Sequence, residues 1–184
     1  MSKKYLFILC VCLTSVLLLQ AQDKFYTKSG KIEFHSRASL EDIDARNKTV
    51  SALIDSKTGT VQFSVLMKSF EFEKALMQEH FNSDYAESDK YPKAEFKGTI
   101  TNNTSIDYSK DGSYAAKVKG QLTLHGVTRN LETMGMVKVE GGKLDITGSF
   151  PLMLADYNIK IQSVVKNKIA KTIDVVVDCK MERL

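Results

Sequence analysis

Cysteine is scarce in this 184-residue chain, and position matters more than number. Cys10 and Cys12 lie in an apolar N-terminal run, and only Cys179 lies beyond it. One cysteine closes no internal disulfide, even in an oxidising compartment. There are three histidines, His35, His80 and His125. No two have the H-x-x-x-H spacing of metal ligands, and no acid or thiol stands beside them at a telling offset. Nucleophile motifs of the G-x-S-x-G type and phosphate-cradling glycine loops are missing. Linkers, low-complexity tracts and fixed-period repeats are missing as well. These absences leave no reading as an enzyme, no metal and no cofactor.

The one long apolar stretch is at the start. Lys3 and Lys4 precede an uncharged, mostly apolar run over residues 5–19, and Leu19-Gln20-Ala21 ends in a small residue. That is the pattern of a secretory signal, too short and wrongly flanked for a stable membrane span. A signal peptide over residues 1–21 is expected, with cleavage after Ala21 and a mature domain over residues 22–184. An uncleaved anchor is the rival reading. Neither Cys10 nor Cys12 follows the small-residue pair of a lipobox. The expected destination is the periplasm or the exterior, with no stable membrane insertion after cleavage.

Charge is balanced. Without Lys3 and Lys4 there remain 24 basic residues against 22 acidic ones, a net charge of +2. The basic residues are scattered along the chain instead of gathered with aromatics, so composition points to neither nucleic acid nor an anionic membrane surface.

What the mature chain does have is period-two alternation. Ile32, Phe34, Ser36 and Ala38 share one face of a first run, and Val50, Ala52 and Ile54 one face of a second. Ser56-Lys57-Thr58-Gly59 reads as a tight turn into Val61, Phe63, Val65 and Met67. Residues 73–81 break the pattern: Leu76/His80 and Met77/Phe81 are i,i+4 pairs of a short helix. An irregular polar stretch is expected over residues 82–90, and Tyr91-Pro92 forbids further helix. Alternation then resumes through Phe96, Val118, Leu122, Leu131 and Val137. Gly141-Gly142 is a hairpin signal, followed by Leu144, Ile146 and Phe150. The last run sets Ile173, Val175, Val177, Cys179 and Met181 on one face, so Cys179 is expected to be a buried small hydrophobe. About eight strands with hairpin connections and one apolar face define an all-β, antiparallel barrel or sandwich, with one short helix between strands.

Gly98, Gly120, Gly135 and Gly148 fall on inward positions of four sequential strands. Strand glycines mark sharp coiling or close approach of another group. Here they signal either curvature alone or a wall thinned for a guest. The inward apolar set is open in the same way. Phe34, Phe63, Val65, Met67, Phe96, Val118, Leu122, Leu144, Ile146 and Phe150 either fill a core or line a cavity, with Met77 and Phe81 at its opening. Methionines suit a pocket for a long, variable hydrocarbon.

Two regions carry a resemblance. Gly120-Gln121-Leu122-Thr123-Leu124-His125-Gly126-Val127-Thr128-Arg129, and residues 69–98 with Tyr91-Pro92, are similar to the YceI-like family. The resemblance implies an extended, eight-stranded, lipocalin-like barrel that holds a polyisoprenoid or another amphiphilic lipid without chemistry. The chain departs from the family's pattern at Ala86, at Asn158 and over residues 158–170.

His125 precedes Gly126 in a hairpin turn, and its expected duty is to fix that turn or touch a ligand head. Tyr91 and Arg129 are the other candidates for the head. The expected function is an exported carrier or buffer for a long-chain lipid. The alternative is a secreted protein-interaction module whose barrel is filled. Whether two barrels pair as a homodimer is left open.

Overall fold

A strand half-buried on one face needs alternating side chains, and eight runs of this chain provide them. The structure, a computed structural model, describes residues 23–184. The signal segment expected over residues 1–21 lies outside the described residues. The long strands are β1 (Lys24–Arg37), β2 (Asp42–Asp55), β3 (Thr60–Leu66), β5 (Lys93–Ile100), β6 (Gly112–Leu124), β7 (Val127–Glu140), β8 (Lys143–Met153) and β9 (Thr172–Arg183), with a two-residue β4 (Glu71–Phe72) on β2. Every pairing is antiparallel. The order β1-β9-β8-β7-β6-β5-β3-β2 closes when β2 returns to β1. The expected eight-stranded antiparallel barrel with one short helix is the fold observed.

Turn chemistry sets the register. Gly59 has φ of 73°, and Gly141 and Gly142 have 56° and 76°. His125 and Gly126, at 51° and 73°, make a two-residue hairpin turn of the same primed kind. Asn158 takes φ of 58°, as an asparagine in place of glycine can.

Two segments differ from the expectation. β1 begins at Lys24, not near residue 31, because register shifts between Thr27, Gly30 and Ile32 exchange inward parity. Phe25 and Thr27 point inward before the bulge; Ile32, Phe34 and Ser36 do so after it. A bulge hides a strand from any period-two reading. The helix α1 spans Ala75–His80, and the expected irregular stretch instead continues it as a wide π turn over Phe81–Tyr85. There the Ala86 amide donates to the Phe81 carbonyl at 2.8 Å, and the Asn82 amide group donates to the Gln78 carbonyl at 2.8 Å. Ser88, buried, donates its hydroxyl to Asn82 Oδ1 at 2.7 Å. Polar side chains satisfy one another here, so polarity did not mean disorder.

The glycines settle into two facing pairs, Gly98 with Gly120 and Gly135 with Gly148. A Cβ on Gly120 would strike the Lys97 carbonyl and the Phe96 ring, and one on Gly135 would sit 2.8 Å from the Thr147 carbonyl. Close approach of strands, and of the Phe96 ring laid across the first pair, is what they permit. None of the four borders the cavity described below. They serve close packing of the wall and do not thin it for a guest.

At the end of the barrel holding the β2–β3, β5–β6 and β7–β8 turns, side chains fill the interior. Phe25, Ile54, Val137, Val139, Leu144 and Met181 are almost fully buried. The Phe25 and Tyr108 rings stack at 6.1 Å, and the Arg183 guanidinium lies 5.0 Å from the Phe25 centroid.

Candidate functional site

The opposite end is hollow. A cavity of about 460 Å³ opens among the β1–β2 turn, α1 and the β8–β9 connection, within the usual range of roughly 300–1,000 Å³ for small-molecule sites. β1 supplies Ile32, Phe34 and Ser36, β3 and the turn after it Val65 and Met67, and β5 Ala94. Leu122 and Leu124 come from β6, Phe150 and Leu152 from β8, Ile173 and Val175 from β9. Alternation places each of these side chains inward, at the hollow end of its strand.

Four phenylalanines form one wall. Phe34 lies 5.3 Å from Phe70, 5.8 Å from Phe72 and 5.7 Å from Phe81, centroid to centroid; Phe72 and Phe81 are 5.0 Å apart. Offset and edge-on contacts of this kind add about 0.5–1.5 kcal/mol per pair beyond burial. Polar groups are confined to a few positions. Ser36 Oγ accepts the Ala170 amide at 2.9 Å, and Lys74 pairs with Glu41 at 3.1 Å. His80, Tyr85 and Lys168 complete the polar lining. Burial, helped by Asp84, raises the Tyr85 phenol above its ordinary pKa, so it stays a neutral donor. Such a lining is chemically suited to hydrocarbon inside and to polar groups at the mouth.

Of the twelve side chains expected from sequence to face a ligand, seven border this space: Phe34, Val65, Met67, Met77, Phe81, Leu122 and Phe150. Five do not. Leu144 and Ile146 pair with Met181 and Cys179 in the filled end. Phe63 lies opposite Phe96 across the β3–β5 pairing, and Val118 lies opposite Ile100. Alternation tells inward from outward but not which end of a barrel is packed. Sequence reading overlooked Phe70, Phe72, Ile43, Ile159, Val165 and Ile169 in the lining. Phe70 and Phe72 do alternate around Glu71, and Val165 and Ile169 stand at i,i+4 within a stretch taken for loop.

Tyr91, His125 and Arg129 are also outside the lining. His125 Nδ1 donates to the Tyr157 carbonyl at 3.0 Å, and Nε2 meets Glu87 Oε2 at 2.6 Å. Both ring nitrogens are thus engaged, and the ring is held in one orientation. The Tyr91 ring stands edge-on at 4.5 Å, and a Cβ on Gly126 would strike it. Arg129 Nε donates to the Asp156 carbonyl at 3.0 Å. Three connections are tied together here: the β6–β7 turn, the segment after the π turn and the start of the β8–β9 connection. No cluster of histidine, cysteine or acidic side chains suited to a metal ion is present among the described residues.

A closed antiparallel barrel, solid at one end and hollow and oily at the other, defines a binding fold of the lipocalin-like type. The YceI-like domain model matches residues 21–181, and the chain belongs to that family. A polyisoprenoid binding domain from Saccharophagus degradans, implicated in plant cell wall breakdown, is 16% identical with a TM-score of 0.77, covering 88% of this chain and 99% of that one. BcnA of Burkholderia cenocepacia is 17% identical, with a TM-score of 0.67 and coverage of 83% and 95%. The YceI protein of Campylobacter jejuni is 16% identical, with a TM-score of 0.60 and coverage of 80% and 90%. At such identities these structures share the fold. No curated protein matches the chain.

Proposed function

We propose that the protein is an exported carrier or buffer that holds an amphiphilic long-chain lipid, isoprenoid or fatty-acid-like, without altering it. The observation that carries this reading is the cavity: about 460 Å³ of space walled by phenylalanine, leucine, isoleucine, valine and methionine, with polar groups gathered at few positions. Hydrocarbon burial would supply most of the affinity, about 0.8 kcal/mol per methylene before ordering costs. That the Saccharophagus degradans relative is described as a polyisoprenoid binding domain supports the same ligand class. Export rests on the N-terminal pattern of Lys3, Lys4 and the apolar run that follows. The alternative, a filled interaction module, would need this space closed.

Organic extraction and mass spectrometry of the protein purified from its native compartment provide the test. A stoichiometric prenyl or fatty chain is the expected result. An empty extract, together with failure of the protein to take up prenyl alcohols or fatty acids, would overturn the carrier. Size-exclusion chromatography with and without lipid tells a monomer from a homodimer.

A further inference from the structure

The four lysines of residues 159–171 have no acid among them in sequence: Lys160, Lys166, Lys168 and Lys171. None of the four is ion-paired among the described residues, whereas Lys74 on the other side of the mouth is held by Glu41. This segment forms one lip of the cavity mouth, because Lys168 and Val165 line the opening. It is fastened to the β1–β2 turn by the Leu40 amide, which donates to the Asn167 carbonyl at 3.0 Å, and by the Ser39 hydroxyl. Two large apolar side chains project from that joined rim into solvent. Leu40 is 70% exposed and Val164 83%.

The helical side of the mouth differs. Lys74 is neutralised there by Glu41, and α1 and its flanks carry Glu73, Glu79 and Asp84. Leu76 on α1 also projects, 60% exposed, but among acids; projecting apolar tips meet unpaired positive charge only on the lip of residues 159–171.

We propose that this lip docks the barrel on an anionic lipid bilayer, with Leu40 and Val164 entering the interface and the four lysines facing the headgroups. Charge complementarity selects the occupant. Each lysine near an anionic leaflet contributes attraction that falls off within a Debye length. The apolar tips are single side chains, Val164 between Lys160 and Lys166 and Leu40 on the adjoining turn, which suits shallow insertion among headgroups better than the dry contiguous patch of a protein interface. Docked in this way, the mouth lies against the membrane, and a chain can enter the cavity without crossing water. That last step rests on the carrier reading; the docking does not.

Flotation of the chain lacking its first 21 residues with two vesicle types provides the test. One is pure phosphatidylcholine, and the other also contains phosphatidylglycerol. Binding is expected to the anionic vesicles, with release at high salt. Lys160→Gln/Lys166→Gln/Lys171→Gln should weaken it roughly a hundredfold, and Leu40→Ser/Val164→Ser roughly tenfold. Equal binding to both vesicles, no binding to either, or undiminished binding by the lysine variant would overturn the proposal. Uptake of a fluorescent fatty acid from solution should be the same in the variants and the parent. A chain that takes up the fatty acid but ignores vesicles sinks the docking alone. One that docks but takes up nothing sinks the carrier alone.

Discussion

The two ends of this barrel are built from the same strands by the same alternation, yet one is solid and the other hollow. At the solid end the β2–β3 and β7–β8 turns have four and two residues, the β5–β6 connection of residues 101–111 packs back with Tyr108 on Phe25, and Phe25, Leu144, Val139 and Met181 are almost fully buried. At the hollow end the β1–β2 and β6–β7 turns are short as well, but the β3–β5 and β8–β9 connections are long. α1 with its π turn and the β8–β9 connection stand off from the strand ends, and the space beneath them is left to a guest. The wall residues are equally oily at both ends. What separates a core from a binding site here is where the long connections lie: Tyr108 of the β5–β6 connection packs on Phe25, whereas α1 and the β8–β9 connection border open space.

If that is right, the two ends should answer mutation differently. The largest stability effect belongs to the solid end. Leu144→Ala leaves a hole in close-packed surroundings and should cost about 2–5 kcal/mol, read as a lower urea midpoint with unchanged slope. Lipid uptake by the folded fraction should be unaffected. Next comes the seam between β5 and β6. Gly120→Ala drives a methyl into the Lys97 carbonyl and the Phe96 ring, backbone that cannot step aside, for about 1–3 kcal/mol in the same assay. Phe81→Ala at the hollow end reverses the balance. Its ring borders empty space on one side and pairs with Phe34, Phe70 and Phe72 on the other, so unfolding should shift by about 1–3 kcal/mol, less than for Leu144→Ala, while affinity for a prenyl or fatty chain falls about tenfold or more. Equal destabilisation by Leu144→Ala and Phe81→Ala would erase the distinction between the ends.

Much of this architecture was legible in the residues, and the failures share a cause. Strand positions, hairpin turns at Gly59, His125-Gly126 and Gly141-Gly142, and the inward face of β9 follow from local rules that act over two to four residues. The start of β1 was missed because its bulge breaks the period. Lining residues 159, 165 and 169 were missed because the β8–β9 connection reads as loop, and the single i,i+4 pair of Val165 and Ile169 is too short a run to mark an inward face. Phe63, Phe96, Val118, Leu144 and Ile146 point inward as expected, but depth along an axis is a property of the closed barrel and not of any one strand. Charge behaved the same way. A net of +2 looks neutral, although four lysines stand on one lip of the mouth.

Alkaline pH offers the smallest contrast, since it leaves the folded protein untouched near neutrality. Burial pushes the Cys179 thiol up to about 12, and pushes the Tyr108 phenol to about 12 as well. In the unfolded chain these groups ionise near about 8.5 and about 10. Below about pH 8.5 both states hold both protons, and stability is flat with respect to these two groups. As pH rises, the unfolded chain releases protons that the folded chain keeps, so it binds fewer and stability falls. Cys179 acts first, and Tyr108 joins about 1.5 units later. Urea midpoints measured from about pH 8 to about pH 11 should therefore decline, and Cys179→Ala should remove the earlier part of the decline while Tyr108→Phe removes the later part. Both groups belong to the solid part of the barrel, so lipid should not alter the slope. A slope that flattens when the cavity is loaded would mean that the packed interior senses the guest, and the two ends would then be one cooperative core.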